Sequence, residues 1–205
     1  MNSKHTFILL AICLFVFSQC NNSKPPEASA VAEAPAAPEA PKPFYGGFEN
    51  QVEWGKHIVT ISGCNDCHTP KKMSDHGPVL DSSMMLAGHP AKMPPINVNR
   101  KEMQSKGLVV SQDLTEWIGP WGTSYAANLT PDPSGTGNWK EEQLFMALRE
   151  GKYKGLPNSR QILPPMPWEM FKHMTDDEIK AIWAYLRTIP AVSNVVPAPL
   201  PPEGK

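Results

Sequence analysis

The sequence predicts an all-α domain with about three main helices joined by long loops. Three stretches place apolar residues at helical spacing between capping signals, and the alternation typical of strands is scarce. The third observation is the segment 77–139, which is rich in Pro, Gly, Met and Asn and far longer than a simple connection. We expect such loops to wrap around something other than protein.

The last helix has the clearest signals, in the stretch MTDDEIKAIWAYLRTIP. Thr175 and Glu178 are predicted to form a capping box at its start. Pro190 lies just past its end. The residues predicted to share one buried face are Ile179, Ile182, Trp183 and Leu186.

Two earlier helices are predicted by the same reasoning. Asn138 is the predicted N-cap of a middle helix that ends at Gly151. A first helix is predicted over roughly residues 50–62 and leads directly into a pair of cysteines. Gly55 costs this helix about 1 kcal/mol unless another element packs against it too closely for a side chain.

The N-terminal part differs in composition from the predicted domain. Residues 1–19 are typical of an export signal, because the apolar run from Phe7 to Phe17 is shorter than the roughly 20 residues of a membrane-spanning helix. Cys20 lies where a lipoprotein signal would be cut and lipidated, although Gln19 is unusual there. Residues 20–43 are rich in Pro and Ala and predict an extended tether.

The remaining residues, 44–205, are enough for one compact domain, with a Pro-rich tail from about residue 190. The formal net charge of the chain is −1 and no basic run is present, so a nucleic-acid partner is not expected. An exported, lipid-anchored domain on the periplasmic side of a bacterial membrane is the expected location.

The motif SGCNDCHTP suggests three kinds of site. A closed zinc site needs four ligands, and no second cysteine pair or suitably spaced histidine pair supplies them. A redox disulfide favours a helix N-terminus after a strand, whereas this pair follows a helix. Covalent haem uses all three residues, with thioether bonds from Cys64 and Cys67 and His68 as the proximal iron ligand.

The ligand on the opposite face of the iron determines the function. Met166 is favoured because prolines at 164, 165 and 167 stiffen the chain around it and could hold a thioether in place. Filling the core is its alternative role. Met93, which also precedes prolines, is the main rival, and the remaining candidates are Met73, Met103, Met170, Met174 and His89.

Beyond these motifs, the chain resembles the class I c-type cytochromes, and more closely the monohaem domains or subunits that accept electrons from periplasmic dehydrogenases. The resemblance spans roughly residues 49–197. It rests on WGKHIVTISGCNDCHTP, HGPVL, LAGH, ANLTPD, TGNW, EEQLFMALREGKY, LPPMPWEMFKHMTDDEIKAIWAYLRTIP and SNVVP. Residues 90–125 match no motif of the family and are longer than its simplest members need.

The resemblance implies a small class I cytochrome c fold around one covalent haem c, with His68 and Met166 as axial ligands. It implies that the Pro78 carbonyl accepts a hydrogen bond from the His68 ring, and that Asn128 and Trp139 lie near the haem. It also implies that Gly55 is the point where the first and last helices cross, covered by Trp183 or Tyr185.

The implied function is electron transfer from a periplasmic dehydrogenase or similar donor to a respiratory acceptor, such as a terminal oxidase or another cytochrome. The chain would then be a carrier or an electron-transfer subunit and not itself an enzyme. The alternative is a haem-based sensor or small-ligand haem enzyme with a labile sixth ligand. No obvious distal acid–base pair supports that alternative.

Overall fold

The computed structural model describes residues 44–204, so the predicted signal, the possible anchor at Cys20 and the tether lie outside it. Within this range no helix is long and apolar enough to cross a membrane. The described residues form, in order, α1 Gln51–Ile61, α2 Cys64–His68, β1 Lys71–Ser74, β2 Gly77–Leu80, α3 Arg100–Lys106, β3 Val109–Val110, β4 Glu116–Gly119, β5 Gly122–Tyr125, α4 Glu141–Glu150, α5 Trp168–Phe171 and α6 Asp176–Leu186, with 3-10 turns at Ser82–Met84 and Tyr153–Gly155.

Helix α1 begins and ends close to the predicted bounds. The Asn50 side chain accepts hydrogen bonds from the backbone N–H groups of Val52 and Glu53, both at 3.0 Å, which caps the first turn. After Ser62, Gly63 adopts the left-handed conformation, with φ of 68°. This turn leads the chain directly from α1 into α2.

Helices α1 and α6 cross at Gly55. A Cβ atom at this position would lie 1.9 Å from the Ala181 carbonyl oxygen and 3.0 Å from the Cβ atom of Tyr185. The close crossing predicted for Gly55 is therefore confirmed, with Tyr185 among the residues that cover it. The missing side chain lets the two backbones approach, which offsets the helix propensity that glycine loses.

The capping box of α6 is confirmed, and the predicted start of α4 is wrong. The Glu178 carboxylate accepts from the Thr175 N–H at 2.6 Å. In α4, Lys140 occupies the N-cap position and the Gln143 side chain accepts from its N–H at 3.0 Å. Asn138 lies outside the helix because a separate turn precedes it, in which the N–H of Trp139 donates to Thr136.

The hydrophobic core lies between the three longest helices. Helix α4 contributes Leu144 and Leu148, and α6 contributes the largest share of the buried side chains. The buried core residues are Ile58, Val59, Leu86, Leu144, Leu148, Ile179, Ala181, Ile182, Leu186 and Ile189. The residues predicted to form the apolar face of α6 thus lie in or against this core.

The all-α prediction overlooked two small antiparallel sheets. Strands β1 and β2 form a hairpin, and β3, β4 and β5 form a three-stranded sheet in that order. These strands have two to four residues each, too few for alternation to be visible. Every residue of β4 is buried, including the charged Glu116, so this strand has no solvent-exposed face.

Residues 191–204, which we call the tail, contact the three-stranded sheet at β5. Leu200 and Thr123 exchange backbone hydrogen bonds of 2.9 and 3.0 Å, which adds one antiparallel bridge at β5. Farther along, the Arg100 guanidinium contacts Glu203 at 3.1 Å and donates to the Pro201 carbonyl at 2.8 Å. The tail is therefore an integral part of the domain.

We expect Gly55→Ala to destabilise the domain by about 2 kcal/mol, because the added methyl group must force α1 and α6 apart. The cost of forcing the helices apart exceeds the gain of about 1 kcal/mol in helix propensity that alanine brings, so the net change is a loss of stability. Urea unfolding of the haem-loaded domain measures the change. Lys56→Ala, at an exposed position of the same helix, is the control and should stay within about 0.5 kcal/mol. Equal stability of the Gly55→Ala variant and wild type would contradict the close-packing argument.

Candidate haem-binding site

Helix α2 brings the three motif residues together. Cys64 and Cys67 are three positions apart and share one side of this short helix, and His68 is its last residue. Both cysteines are free thiols. Cys64 also packs against the hydrophobic core. The two sulfur atoms thus lie at the boundary between the core and the surface of the domain.

The environment keeps both thiols protonated at neutral pH. Burial raises the pKa of Cys64 to about 12, and the charges of Cys67 and Asp66 act in the same direction. Burial also raises the pKa of Cys67, and the nearby Lys71 opposes that rise. Neither sulfur is therefore a reactive thiolate of the kind found in redox enzymes.

His68 is buried, with only 8% of its surface exposed, and its ring has a defined tautomer. The ring nitrogen Nδ1 lies 2.7 Å from the carbonyl oxygen of Ala127. Because a carbonyl can only accept, Nδ1 carries the proton and Nε2 keeps its lone pair. Burial lowers the pKa of His68, which favours the neutral ring that coordinates metals.

The prediction that the Pro78 carbonyl accepts from His68 is wrong. Pro78 lies in β2, where it is exposed and opposite Met73 in the hairpin. The chain instead returns to His68 in the segment just after β5, where Ala127 provides the acceptor. The backbone carbonyl expected from the resemblance is thus present, but it comes from the ANLTPD stretch.

Two backbone segments, residues 86–89 and 126–129, hold His68 in place. They pair with each other through the N–H of His89 to Ala126 at 2.9 Å and the N–H of Leu129 to Leu86 at 2.8 Å. The N–H of Gly88 donates to the backbone carbonyl of His68 at 2.8 Å. Together with the ring hydrogen bond, this contact fixes both the backbone and the side chain of His68.

Asn128 shapes the loop that follows Ala127. Its side-chain oxygen accepts from the N–H and the hydroxyl of Thr130 at 2.9 and 2.8 Å, and its Nδ2 donates to Val192 at 2.9 Å. The amide is thus used within the protein, between the loop and the tail. Trp139 is half-buried, and its predicted place near a haem remains a prediction.

Met166 packs against the same core as Cys64. The segment before it is anchored to β5, because the Ser124 hydroxyl donates to the Pro164 carbonyl at 2.6 Å. On its other side, the Met166 carbonyl accepts from the N–H of Trp168 at 3.0 Å. Hydrogen bonds on both sides thus hold the methionine in a defined place.

Most of the rival ligands differ from Met166 in their surroundings, and Met174 is the exception. Met93 lines an open cleft, and Met73 and Met170 are about 70% exposed. The buried His89 ring is hydrogen-bonded through Nδ1 to the Thr115 hydroxyl at 2.8 Å. Met174, like Met166, packs against the core, whereas Met103 is half-buried in α3.

The open cleft next to α2 has a volume of about 340 Å³. One wall comes from the β1–β2 hairpin, and the other comes from residues 93–113. Its lining residues are Lys71, Met73, Pro78, Met93, Ile96, Val110, Ser111, Gln112 and Asp113. Lys71 also donates a short hydrogen bond to the Asp66 carbonyl, which joins this cleft to the cysteine motif.

The chemistry of the donor set fits covalent haem. Two free thiols three positions apart suit two thioether bonds, and the adjacent neutral imidazole offers Nε2 to iron. No protein hydrogen bond to Nε2 is found among residues 44–204. In this same range no group of three or more His, Cys, Asp or Glu side chains is arranged to hold a metal ion.

Comparison with known proteins agrees with this chemistry. The Cytochrome c family model matches residues 52–190. The chain belongs to the cytochrome c family. This membership supports a covalently bound haem c, and the CNDCH motif of α2 is the attachment sequence that the family leads one to expect.

Several relatives are cytochrome subunits of dehydrogenases. The chain is 40% identical over 138 residues to the cytochrome c subunit of the quinone alcohol dehydrogenase of Gluconobacter oxydans, covering 67% of the chain and 21% of that relative. It is 36% identical over 70 residues to the fructose dehydrogenase cytochrome subunit of Gluconobacter japonicus, covering 34% and 14%.

A third relative is the gluconate 2-dehydrogenase cytochrome c subunit of Pantoea cypripedii, 34% identical over 67 residues. That match covers 32% of the chain and 14% of the relative. The chain thus spans only a small part of the length of each of these relatives. The similarity to these subunits therefore does not by itself carry over a substrate or a partner to this chain.

Sequence reasoning missed the residues that support the candidate ligands. Ala127 acts through its backbone, so no side-chain pattern could have identified it. Ser124 acts on Pro164 from 40 positions away. The residue that contacts His68, Ala127, is the first residue of the ANLTPD motif, which the resemblance placed near the haem without a role for Ala127.

We expect Gly88→Ala to disturb the acceptor of His68. A Cβ atom at this position would lie 2.5 Å from the Ala126 oxygen and 2.6 Å from the Ala127 oxygen. Gly77→Ala is a matched control, since both glycines have positive φ but nothing lies within 4 Å of a Cβ at position 77. Urea unfolding should show a loss for Gly88→Ala larger by roughly 2 kcal/mol. Equal losses would mean that backbone strain alone accounts for the effect.

Proposed function

We propose that this protein transfers electrons through one haem c bound covalently to Cys64 and Cys67, with His68 and Met166 as axial ligands. The observation that carries the proposal is the buried, neutral His68 ring, whose Nδ1–H is bound to Ala127 beside two free thiols. Met166 is the preferred second ligand because it shares the core with Cys64 and its segment is anchored at Ser124.

The residues of the chain prepare this site for electron transfer. Haem c supplies a one-electron couple between ferric and ferrous iron. The Ala127 carbonyl keeps the ring proton of His68 at Nδ1, so no proton needs to move at this ligand. Hydrogen bonds on both sides of Met166 hold the backbone that carries its thioether. Fixed ligands favour transfer because little rearrangement accompanies a change of charge.

We further propose that the electron donor is a dehydrogenase. The relatives that are cytochrome subunits of alcohol and fructose dehydrogenases support this choice. The acceptor would be a respiratory protein such as a terminal oxidase or another cytochrome. The export signal and Cys20 would place the domain on the periplasmic side of a bacterial membrane, held by a lipid anchor and the tether.

An optical titration tests the axial ligands. In haem-loaded protein we expect the far-red band of methionine bound to ferric iron, a clearly positive midpoint potential, and loss of the band in Met166→Ala. Met93→Ala is the control and should keep the band, because Met93 lines the open cleft. Loss of the band in Met93→Ala would reassign the ligand. A wild-type protein without the band that binds carbon monoxide when reduced would favour the sensor or enzyme alternative.

The proposed anchor has its own test. In a bacterial host that attaches both haem c and lipid, we expect the full chain in the membrane fraction and Cys20→Ser in the soluble periplasmic fraction. Cys13→Ser is the control, because Cys13 belongs to the predicted signal and should leave with it. Membrane association of the Cys20→Ser variant equal to that of wild type would contradict the lipid anchor.

A further inference from the structure

The tail reaches back to the segment that holds His68. Asn194 is buried, with 6% of its surface exposed. Its Nδ2 donates to the carbonyls of Ala87 at 2.7 Å and His89 at 2.9 Å, and its Oδ1 accepts from the N–H of Ala91 at 2.8 Å. We call these three hydrogen bonds the Asn194 clamp. They provide hydrogen-bond partners for backbone groups on both sides of Gly88. The N–H of Gly88 itself donates to the His68 carbonyl.

The same part of the tail also binds the loop after Ala127. The backbone N–H of Asn194 donates to the Ser134 hydroxyl at 3.0 Å, and the N–H of Val192 donates to the Thr130 hydroxyl at 3.1 Å. In the other direction, the Asn128 side-chain Nδ2 donates to the Val192 carbonyl. The tail therefore touches both segments that contact His68, the one that binds its backbone and the one that binds its ring.

Only an amide side chain satisfies the clamp. Two carbonyl oxygens need a donor with two N–H groups, and the Ala91 N–H needs an acceptor. Aspartate has the same shape but only accepts when ionised, so its second oxygen would face the carbonyls of Ala87 and His89. Alanine would leave three backbone groups near the core without partners. Position 194 therefore needs a side chain with two N–H donors and one acceptor, and a side chain of similar size is not enough.

We propose that Asn194 is a positioning residue that fixes the hydrogen bond between the His68 ring and the Ala127 carbonyl, and through it tunes the reduction potential of the iron. This inference rests on the proposed function. Residues 86–89 and 126–129 are paired, so a shift of the first segment moves the Ala127 carbonyl in the second. A weaker ring hydrogen bond makes the imidazole a poorer electron donor, which destabilises ferric iron and raises the potential.

The test compares haem-loaded wild type with Asn194→Asp and Asn194→Ala. In the reduced proteins, NMR measures solvent exchange of the His68 Nδ1–H and of the Gly88 amide, and a redox titration gives the midpoint potential. We expect exchange of both protons to be faster by about tenfold or more, and a more positive midpoint. The far-red band should remain, because Met166 is held by different contacts.

Two further variants separate positioning from general loosening of the tail. Glu203→Gln removes the ion pair with Arg100 and should leave exchange and potential unchanged. Ser134→Ala removes the acceptor of the Asn194 N–H and should shift both quantities in the same direction by a smaller amount. Ser134→Ala also carries the test if the Asn194 variants do not incorporate haem.

The outcomes distinguish this inference from the proposed function. Wild-type exchange and potential in the Asn194 variants, even with lowered thermal stability, would overturn the inference. An effect of Glu203→Gln as large as that of Asn194→Asp would overturn it as well. A wild-type protein without methionine ligation would instead reject the Met166 assignment, and the exchange of the His68 ring proton would still report on the clamp.

Discussion

The hydrogen bond from the His68 ring to the Ala127 carbonyl is the contact on which the rest of the site depends. It selects the tautomer that leaves Nε2 free, and it joins helix α2 to the chain after β5. The helix crossing at Gly55 supports it from one side, because α1 delivers α2 to the core. The paired segments 86–89 and 126–129 support it from the other side.

Residues 90–125, in which the sequence alone shows no recognisable motif, have a clear structural role. They form α3 and the three-stranded sheet, and the end of β5 leads directly to Ala127. From the same strand, Ser124 anchors the segment before Met166. One small sheet thus supports both candidate axial ligands. The same residues also supply one wall of the open cleft beside α2.

Sequence reasoning succeeded where the signal is local. The capping box at Thr175 and the extent of α1 follow from neighbouring residues and from helical spacing. The crossing of α1 and α6 at Gly55 was implied by the family resemblance. Sequence reasoning failed where contacts are distant or involve only the backbone. Strands of two to four residues show no period, and the acceptor for His68 is a carbonyl that any residue could provide. The family resemblance implied Pro78, whereas the acceptor is Ala127.

The family match ends at residue 190, yet the tail beyond it completes the surroundings of His68. Asn194 contacts residues more than 100 positions earlier in the chain. Closing such a long loop costs more entropy than forming contacts between neighbours, and it requires the tail to be present. During synthesis the cysteines and the histidine emerge early, whereas Asn194 emerges after all the segments that it contacts. The residues that attach haem are therefore available before the tail can complete their surroundings.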